Sequence, residues 1–449
     1  MTERSRAYED LPREHPFEPL RVEGELPPGL EGTLFRAGPA TSGRFGLRYS
    51  HAFEGDGAVC ATKLAGGAAF GAVRMVQSDG YREETEAGRL LYGFSAPWWR
   101  RMLNLARGKQ KNTANTAALV WNDRLFALME GATPVELERE TLETIGETTL
   151  GNVVGRTFSA HPHVVGDRLI NFGSRYGKQP GVDLYAWPKD SACRHLGFAP
   201  LPDNRMIHDF AVTERHAVFF ASPVSIQLLR AILNIGPFER LVRWRPELGT
   251  EVVVVPLAAP ERARRFTTEP FFQWHFINAF EDGEELVVDA CVYPNFDSMG
   301  AIGVDGVELA LPEYARCRIN AARTSLRRET IGDAPVEFPS VLAEDEGRRS
   351  TDAFCLSMDH GRRALIRVDP ERGVVDRFDY PEGAGPSEPI YVPSGPGGAG
   401  HLLTLVHDAD SHTSALHVFD AQRLEGGPVA RAHYDHHIPF TFHGRWAAA

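Results

Sequence analysis

Short apolar runs bounded by turn residues recur along the whole chain. Each run is rich in aliphatic, β-branched or aromatic residues, and a turn-forming or charged residue stands at its start. Examples are the segments Asp123–Met129, Gly166–Phe172, Arg215–Phe220, Gly283–Asp289 and His401–Val406. This pattern is typical of β-strands joined by turns, and no regular alternation of strand and helix interrupts it. The sequence therefore predicts an all-β fold rather than a doubly wound sheet or a TIM barrel.

The chain has 449 residues, of which 43% are hydrophobic, so a sizeable core is available. Repeated four-stranded blades would suit this length and would leave few exposed sheet edges, as in a β-propeller. No tight repeat of the WD or kelch kind is present. We therefore interpret residues 1–449 as a single propeller domain.

Two segments, 94–107 and 225–235, depart from the strand pattern. Both are apolar and flanked by arginines, and the first contains two tryptophans. We predict that they form helices inserted into the β-rich domain. Such helices suit either contact with a lipid surface or a cap on the core, and both interpretations stay open. The residues expected to contact a membrane are Trp99, Leu228, Leu229 and Ile232.

Charge and cysteine content exclude other classes of protein. The formal net charge is −12 and no run of Lys and Arg occurs, which argues against a nucleic-acid partner. No segment approaches the roughly 20 apolar residues of a membrane span. Five cysteines form no CxxC pair, and the first residues lack an apolar signal core. We therefore expect a cytoplasmic protein, with peripheral membrane contact left open.

Four of the seventeen histidines have apolar or aromatic neighbours near predicted strand starts. These four are His161, His208, His275 and His443. A buried imidazole needs a partner for each ring nitrogen, and a metal on one side with a carboxylate on the other supplies both. Their spacing fits inner strands of different blades that face one axis. Spacing alone does not establish that they converge.

Other catalytic motifs are absent or incomplete. The chain lacks HExxH, GxSxG and the Walker phosphate-binding motif. His433 and Asp435 form the HxD half of a metal-binding facial triad. The only histidines that follow lie too close in sequence for the usual second arm of that site. A facial triad is therefore the weaker metal hypothesis.

Nine ordered segments carry a resemblance to a known family. They are Glu31–Pro39, His51–Gly57, Lys111–Thr116, Ala160–Pro162, His208–His216, His275–Glu281, Glu337–Pro339, Glu388–Pro393 and Ile438–Gly444. In these segments the chain resembles the carotenoid cleavage oxygenases, which include retinoid isomerases and lignostilbene dioxygenases. The resemblance implies a seven-bladed β-propeller with an α-helical dome over the iron-bearing face.

The same resemblance implies Fe(II) held by His161, His208, His275 and His443. His163 shares the motif of the first ligand, but the family ligand precedes the proline, so His161 is preferred.

Three glutamates, Glu130, Glu337 and Glu388, match family positions that support the ligands. Each is expected to accept a hydrogen bond from the outer N–H of a ligand imidazole, which would fix its tautomer and raise its basicity.

The implied reaction is dioxygenase cleavage of a carbon–carbon double bond by O2, giving two carbonyl products. Lignostilbene-type relatives carry a lysine where this chain has Met129, so we favour an apolar carotenoid or apocarotenoid over a phenol. The expected substrate tunnel contains Met129, Phe94, Trp98, Phe272 and Phe442. Cleavage of a stilbene or phenylpropanoid alkene, isomerisation without cleavage, and a metal-free binding module remain alternatives.

Overall fold

Strands dominate the computed structural model, which describes residues 5–93, 96–227, 230, 238–304, 307, 310–394 and 399–449. The strands are β1 His15–Gly24, β2 Gly32–Pro39, β3 Gly43–Arg44, β4 Leu47–Arg48, β5 Gly57–Ala65, β6 Ala68–Met75, β7 Ala117–Trp121, β8 Arg124–Leu128, β9 Val135–Leu137, β10 Thr144–Glu147, β11 His163–Val165, β12 Arg168–Arg175, β13 Gly181–Pro188, β14 Arg194–Pro200, β15 Ala211–Val212, β16 His216–Ala221, β17 Val224–Ile226, β18 Val242–Trp244, β19 Thr250–Pro256, β20 Arg264–Thr268, β21 Phe272–Asp282, β22 Glu285–Tyr293, β23 Glu313–Asn320, β24 Ser325–Pro335, β25 Glu337–Val341, β26 Ala353–Asp359, β27 Arg362–Asp369, β28 Gly373–Asp379, β29 Ala384–Pro386, β30 Ile390–Pro393, β31 Gly400–Asp408, β32 Thr413–Asp420, β33 Ala430–His433 and β34 His443–Ala448. The prediction of a β fold is confirmed.

Sixteen of the 34 strands in the described part of the chain form antiparallel four-stranded sheets in which the strands follow sequence order. Four such sheets are β11-β12-β13-β14, β15-β16-β19-β20, β21-β22-β23-β24 and β25-β26-β27-β28. A fourteen-stranded sheet has the order β10-β9-β8-β7-β34-β2-β5-β6-β1-β33-β32-β31-β29, and β30 also pairs with β31. In this sheet β34 pairs with β2 and β33 with β1, so the two ends of the chain are joined by hydrogen bonds.

The core lies between neighbouring sheets, and many strands are buried on both faces. In β16, Phe219 packs with Phe172 and Val182 of the preceding sheet, whereas Phe220 packs with Val288 of the following sheet. Successive side chains of a strand point to opposite faces, so a strand between two cores needs apolar residues at every position. This explains why the sequence shows continuous apolar runs rather than strict alternation.

Two α-helices occur in the described part of the chain, α1 (Asp79–Ala87) and α2 (Trp98–Ala106). Helix α2 lies within the segment 94–107, for which the sequence predicts a helix. In the second such segment, Ser225 and Ile226 belong to β17, and residues 228–229 and 231–237 lie outside the described residues. None of the described helices has the length and apolar content needed to cross a bilayer.

Helix α1 has no counterpart among the elements that the sequence predicts. Ser78 caps its first turn by accepting a hydrogen bond from the backbone N–H of Tyr81 at 3.3 Å. Gly88, with a φ of 61°, ends it in the left-handed conformation that glycine adopts readily. Its one fully buried charged side chain, Glu84, accepts from the Lys111 ammonium at 2.8 Å. The helix is therefore held by capping and a buried ion pair rather than by an apolar stripe.

Candidate metal centre

Four histidines from four distant parts of the chain converge on one point. One ring nitrogen from each of His161, His208, His275 and His443 lies within 4.8 Å of the others. His161 and His208 lie in loops before β11 and β15, His275 lies in β21, and His443 begins β34. Ring centroids of His161 and His208 are 4.3 Å apart, and those of His275 and His443 are 4.9 Å apart. The histidines that the sequence singled out are therefore brought together.

Local irregularities in the strands aim these side chains inward. The pairing of β21 with β22 shifts register on both sides of Phe276, next to His275, and such a bulge redirects the residues beside it. Phe338, directly after Glu337, has a φ of 49°, which is rare for an aromatic residue. Its ring lies 5.2 Å from that of His275. This irregular start of β25 thus places both the glutamate and the aromatic ring beside the ligand.

The three predicted glutamates each lie against the outer nitrogen of one histidine. Glu337 is 2.5 Å from Nδ1 of His275, and Glu388 is 2.8 Å from Nδ1 of His443. Glu130 completes the set, with Oε1 at 3.0 Å from Nδ1 of His208. A carboxylate at Nδ1 fixes the proton there and leaves Nε2 with a free lone pair.

The inner nitrogens have the environment expected of metal ligands. Nε2 of His161 and of His275 is buried and has no hydrogen-bond partner among the described residues. An orphaned buried nitrogen of this kind costs free energy unless something binds it. Four imidazoles suit a divalent transition metal such as iron or zinc, since hard cations such as calcium prefer oxygen ligands. The residues present therefore fit a metal ion.

Burial keeps two of the four imidazoles in the neutral form that binds a metal ion. Burial, reinforced by the charge of His208, holds the pKa of His161 well below its ordinary value. Burial and then His275 lower the pKa of His443 in the same way. At His275, burial lowers the pKa, but Glu337 outweighs it, so the pKa is raised overall. A metal binds neutral imidazole and would displace the proton from His275.

Two charged residues that the sequence did not single out support this centre. Arg36 is 1% exposed, and its guanidinium donates to the carbonyls of Glu388 and Phe442 at 2.9 and 3.0 Å. Asp209 is also buried and accepts from the backbone N–H groups of Phe210 and Phe276 at 2.7 and 2.8 Å. Arg36 lies within the family segment Glu31–Pro39, where its charge stands out in an otherwise apolar strand.

The alternative histidines are engaged elsewhere. Nδ1 of His163 lies 2.8 Å from Glu346 and its Nε2 lies 3.4 Å from Asp209. Of the incomplete facial triad, His433 lies 3.3 Å from Glu23, and Asp435 accepts from Arg13 at 2.9 Å. These contacts support the choice of His161 over His163 and leave the facial triad without a shared metal position.

A cavity of about 560 Å³ adjoins the four histidines. His208, His275 and His443 form part of its wall, and seven aromatic side chains form much of the remainder. The aromatic residues are Tyr8, Phe53, Trp274, Tyr293, Phe338, Phe440 and Phe442. The Trp274 ring meets the His208 ring edge-on at 4.8 Å, so the apolar wall reaches the metal position.

Of the five residues expected in the substrate tunnel, Phe442 lines this cavity. Phe94 lies outside the described residues. Trp98 is 71% exposed on α2, and Phe272 is buried with its ring centroid 4.7 Å from that of Phe296. Met129 is directed to Thr113, whose backbone N–H donates to the Met129 sulfur at 3.4 Å. The lining of the described cavity includes none of these last three.

Comparison with known proteins places this centre in a family. The family model described as retinal pigment epithelial membrane protein matches residues 8–448, which is nearly the whole chain. The chain belongs to this family, the carotenoid cleavage oxygenases. The resemblance drawn from the nine sequence segments is confirmed.

Two characterised relatives and one crystal structure are similar over almost their full length. The apocarotenoid-15,15'-oxygenase of Synechocystis sp. is 31% identical over 98% of this chain and 95% of its own. The isoeugenol monooxygenase of Pseudomonas nitroreducens is 27% identical over 95% of this chain and 94% of its own. The crystal structure of cobalt-substituted Synechocystis ACO matches with a TM-score of 0.90 and 29% identity, covering 99% of this chain and 98% of that one.

Proposed function

We propose that this protein is an Fe(II)-dependent oxygenase that cleaves a carbon–carbon double bond of a carotenoid or apocarotenoid with O2, giving two carbonyl products. The observation that carries the proposal is the cluster of four histidines at the wall of an aromatic cavity, in a member of the carotenoid cleavage oxygenases. Iron bound by His161, His208, His275 and His443 would supply the redox-active, Lewis-acidic centre that dioxygen requires.

The protein's own residues would hold the metal and prepare the site. Glu130, Glu337 and Glu388 keep the proton on the outer nitrogen of three histidines and make the inner nitrogens better donors. Tyr293 donates to Glu337 at 3.0 Å and so keeps that carboxylate in position. The aromatic wall would exclude water, hold one double bond next to the metal position, and stabilise positive charge on a polyene.

An apolar alkene is the substrate class that this cavity favours. Its aromatic rings around the histidines offer contact area rather than hydrogen bonds. The apocarotenoid oxygenase of Synechocystis is the relative with 31% identity. The name of the isoeugenol monooxygenase favours a phenylpropanoid alkene as the second candidate.

The finer architecture fits the proposal. Three groups of four or five strands within the fourteen-stranded sheet, added to the four separate sheets, would make seven blades of one domain spanning residues 1–449. Helix α2 would belong to a helical dome over the iron-bearing face. All five cysteines are buried and free, which suits a reducing cytoplasm.

We expect α2 to mediate peripheral contact with membranes, where such substrates dissolve. Trp98 and Trp99 are 71% and 48% exposed, and Arg100 and Arg101 follow them. Replacing both tryptophans by Asp should lower binding to anionic liposomes in a flotation assay. Ile145→Asp, at an exposed apolar residue of β10, is the control and should bind as the parent does. Equal binding by all three proteins would contradict a lipid role for α2.

The predicted contacts Leu228, Leu229 and Ile232 lie outside the described residues.

A substrate panel tests the proposed reaction. Iron-loaded protein is incubated in air with apocarotenals, hydroxystilbenes and isoeugenol, and the products are identified by mass. Two carbonyl fragments from an apocarotenal, with oxygen consumed, are the expected result. Cleavage of the phenolic alkenes alone would favour the second candidate. An isomerised polyene without oxygen uptake, or no turnover by the iron-loaded protein, would contradict the proposal.

A further inference from the structure

One part of the cavity wall is basic, in contrast to the aromatic wall near the histidines. The hairpin of β26 and β27 contributes His360, Arg362 and Arg363 to the lining. A guanidinium carries five N–H donors, no acceptor and a permanent positive charge. We call these three residues the basic rim. Its chemistry fits an anionic oxygen group and not a hydrocarbon.

The backbone of the hairpin fixes where these side chains lie. His360 and Gly361 have φ values of 45° and 88°, as in the tight two-residue turns that join adjacent strands. The register pairs Met358 directly with Arg363. Paired residues share one face of a sheet, and Met358 also lines the cavity. The turn therefore presents Arg363 to the cavity beside an apolar neighbour.

Neither arginine forms an ion pair within the described part of the chain. No carboxylate there approaches the guanidinium of Arg362 or Arg363 within 4.0 Å. Arg363 is half-buried, and a β-carbon built on Gly385 would lie 3.4 Å from its Nη1. A partly desolvated cation without a partner gains free energy when an anion binds.

The carboxylates near this hairpin have other partners. Asp379, which faces Ala364 across β27 and β28, accepts from Nη2 of Arg377 at 2.6 Å. That hydrogen bond is the main reason why the pKa of Asp379 is lowered, and Arg362 contributes least. Asp359 lies 3.7 Å from Nε2 of His360. Asp359 and Asp379 thus lie near Arg362 without an ion pair to it, and Arg363 remains available to a ligand in the cavity.

We propose that the basic rim binds a carboxylate at one end of the substrate, so that the enzyme prefers apocarotenoid acids over their neutral counterparts. The inference rests on the proposed function, because it specifies the substrate of the same cavity. Arg363 would donate two parallel N–H hydrogen bonds to the carboxylate, and Arg362 would add positive charge. An anchored end would also determine which double bond lies beside the four histidines, so Arg363 acts in substrate positioning.

A matched pair of substrates tests this inference. An apocarotenoid acid and its methyl ester share one polyene and differ only in charge. With iron-loaded wild-type protein, we expect a higher kcat/KM for the acid. Arg363→Gln should lower kcat/KM for the acid by about tenfold or more, through KM, and leave the ester unchanged. Arg372→Gln, at an 81% exposed arginine in the turn between β27 and β28, is the control and should change neither value.

Binding without turnover separates this inference from the proposed function. In iron-free protein, quenching of tryptophan fluorescence by the polyene gives Kd for acid and ester. Loss of acid binding in Arg363→Gln alone would support the basic rim even if no substrate were cleaved. If Arg363→Gln affected acid and ester equally, or affected neither, the basic rim would be overturned as a carboxylate site. Cleavage of the ester would still support the proposed reaction in that case. If Arg363→Gln does not fold, the variant at exposed Arg362, Arg362→Gln, tests the inference instead. It should weaken binding of the acid to a smaller extent and leave binding of the ester unchanged.

Discussion

Replacing His275 by alanine is expected to abolish iron binding and activity together. The variant loses one of four ligands and leaves Glu337, which is 2% exposed, without its imidazole partner. Replacing a residue that only hydrogen-bonds to a metal ligand typically lowers metal affinity or activity by about 10–100-fold. Loss of a ligand itself should exceed that range. Metal analysis of the purified protein should fall from about one iron per chain to a small fraction of it.

Two further histidine variants sharpen this result. His163→Ala should keep its iron, because the His163 side chain lies between Glu346 and Asp209. His195→Ala, at a partly exposed residue paired with Asp183, should match the parent in iron and in activity. Full iron content in His275→Ala, or loss of iron in His163→Ala with His275→Ala unaffected, would contradict the four-histidine assignment.

The second large effect is expected from Glu388→Gln. Glu388 accepts from Nδ1 of His443 at 2.8 Å and from the backbone N–H of Gly444 at 3.0 Å. An amide of the same size keeps one acceptor oxygen but loses the negative charge, so His443 becomes a weaker ligand. We expect iron affinity, measured by chelator competition, or kcat/KM to fall about 10–100-fold.

A surface glutamate supplies the comparison for this variant. Glu214→Gln removes a charge from an exposed ion pair, in which the Arg348 guanidinium donates to Glu214 at 2.9 Å. Such pairs contribute about 0–1 kcal/mol, so this variant should retain the parent's iron affinity and activity. Unchanged iron affinity and kcat/KM in Glu388→Gln would remove its proposed supporting role.

The metal centre was the most predictable part of the molecule. His161, His208, His275 and His443 each stand in an apolar setting within a family segment, so local sequence identified them without any knowledge of contacts. Glu337 and Glu388 also lie in family segments, whereas Glu130 was identified by its match to a single family position. The strands were predictable because residues such as Phe219 and Phe220 on adjacent positions both face cores.

The roles of residues that act through long-range contacts could not be predicted from the sequence. Arg36 reaches Glu388 across 352 positions, and no local pattern indicates that contact. Helix α1 has few apolar residues, so the apolar periodicity that usually reveals a helix is missing. Its stability comes from the Ser78 cap and from Glu84, which pairs with Lys111 in another part of the chain.

The cavity wall was the least predictable part. Met129 lies next to Glu130 in sequence, yet its sulfur faces Thr113. The wall also takes residues such as Val307 and Arg363 from stretches of chain outside the nine family segments. A cavity forms where distant loops meet, so sequence neighbours of a ligand need not line it.

A titration of metal-free protein with Fe(II) tests the central claim most directly. Carbonyl products from an apocarotenal are measured in air after each addition of iron. We expect product formation to rise in proportion to added iron and to level off at one equivalent per chain, with no such rise in His275→Ala. Cleavage that does not depend on iron, or that responds to iron equally in the His275→Ala variant, would contradict the account.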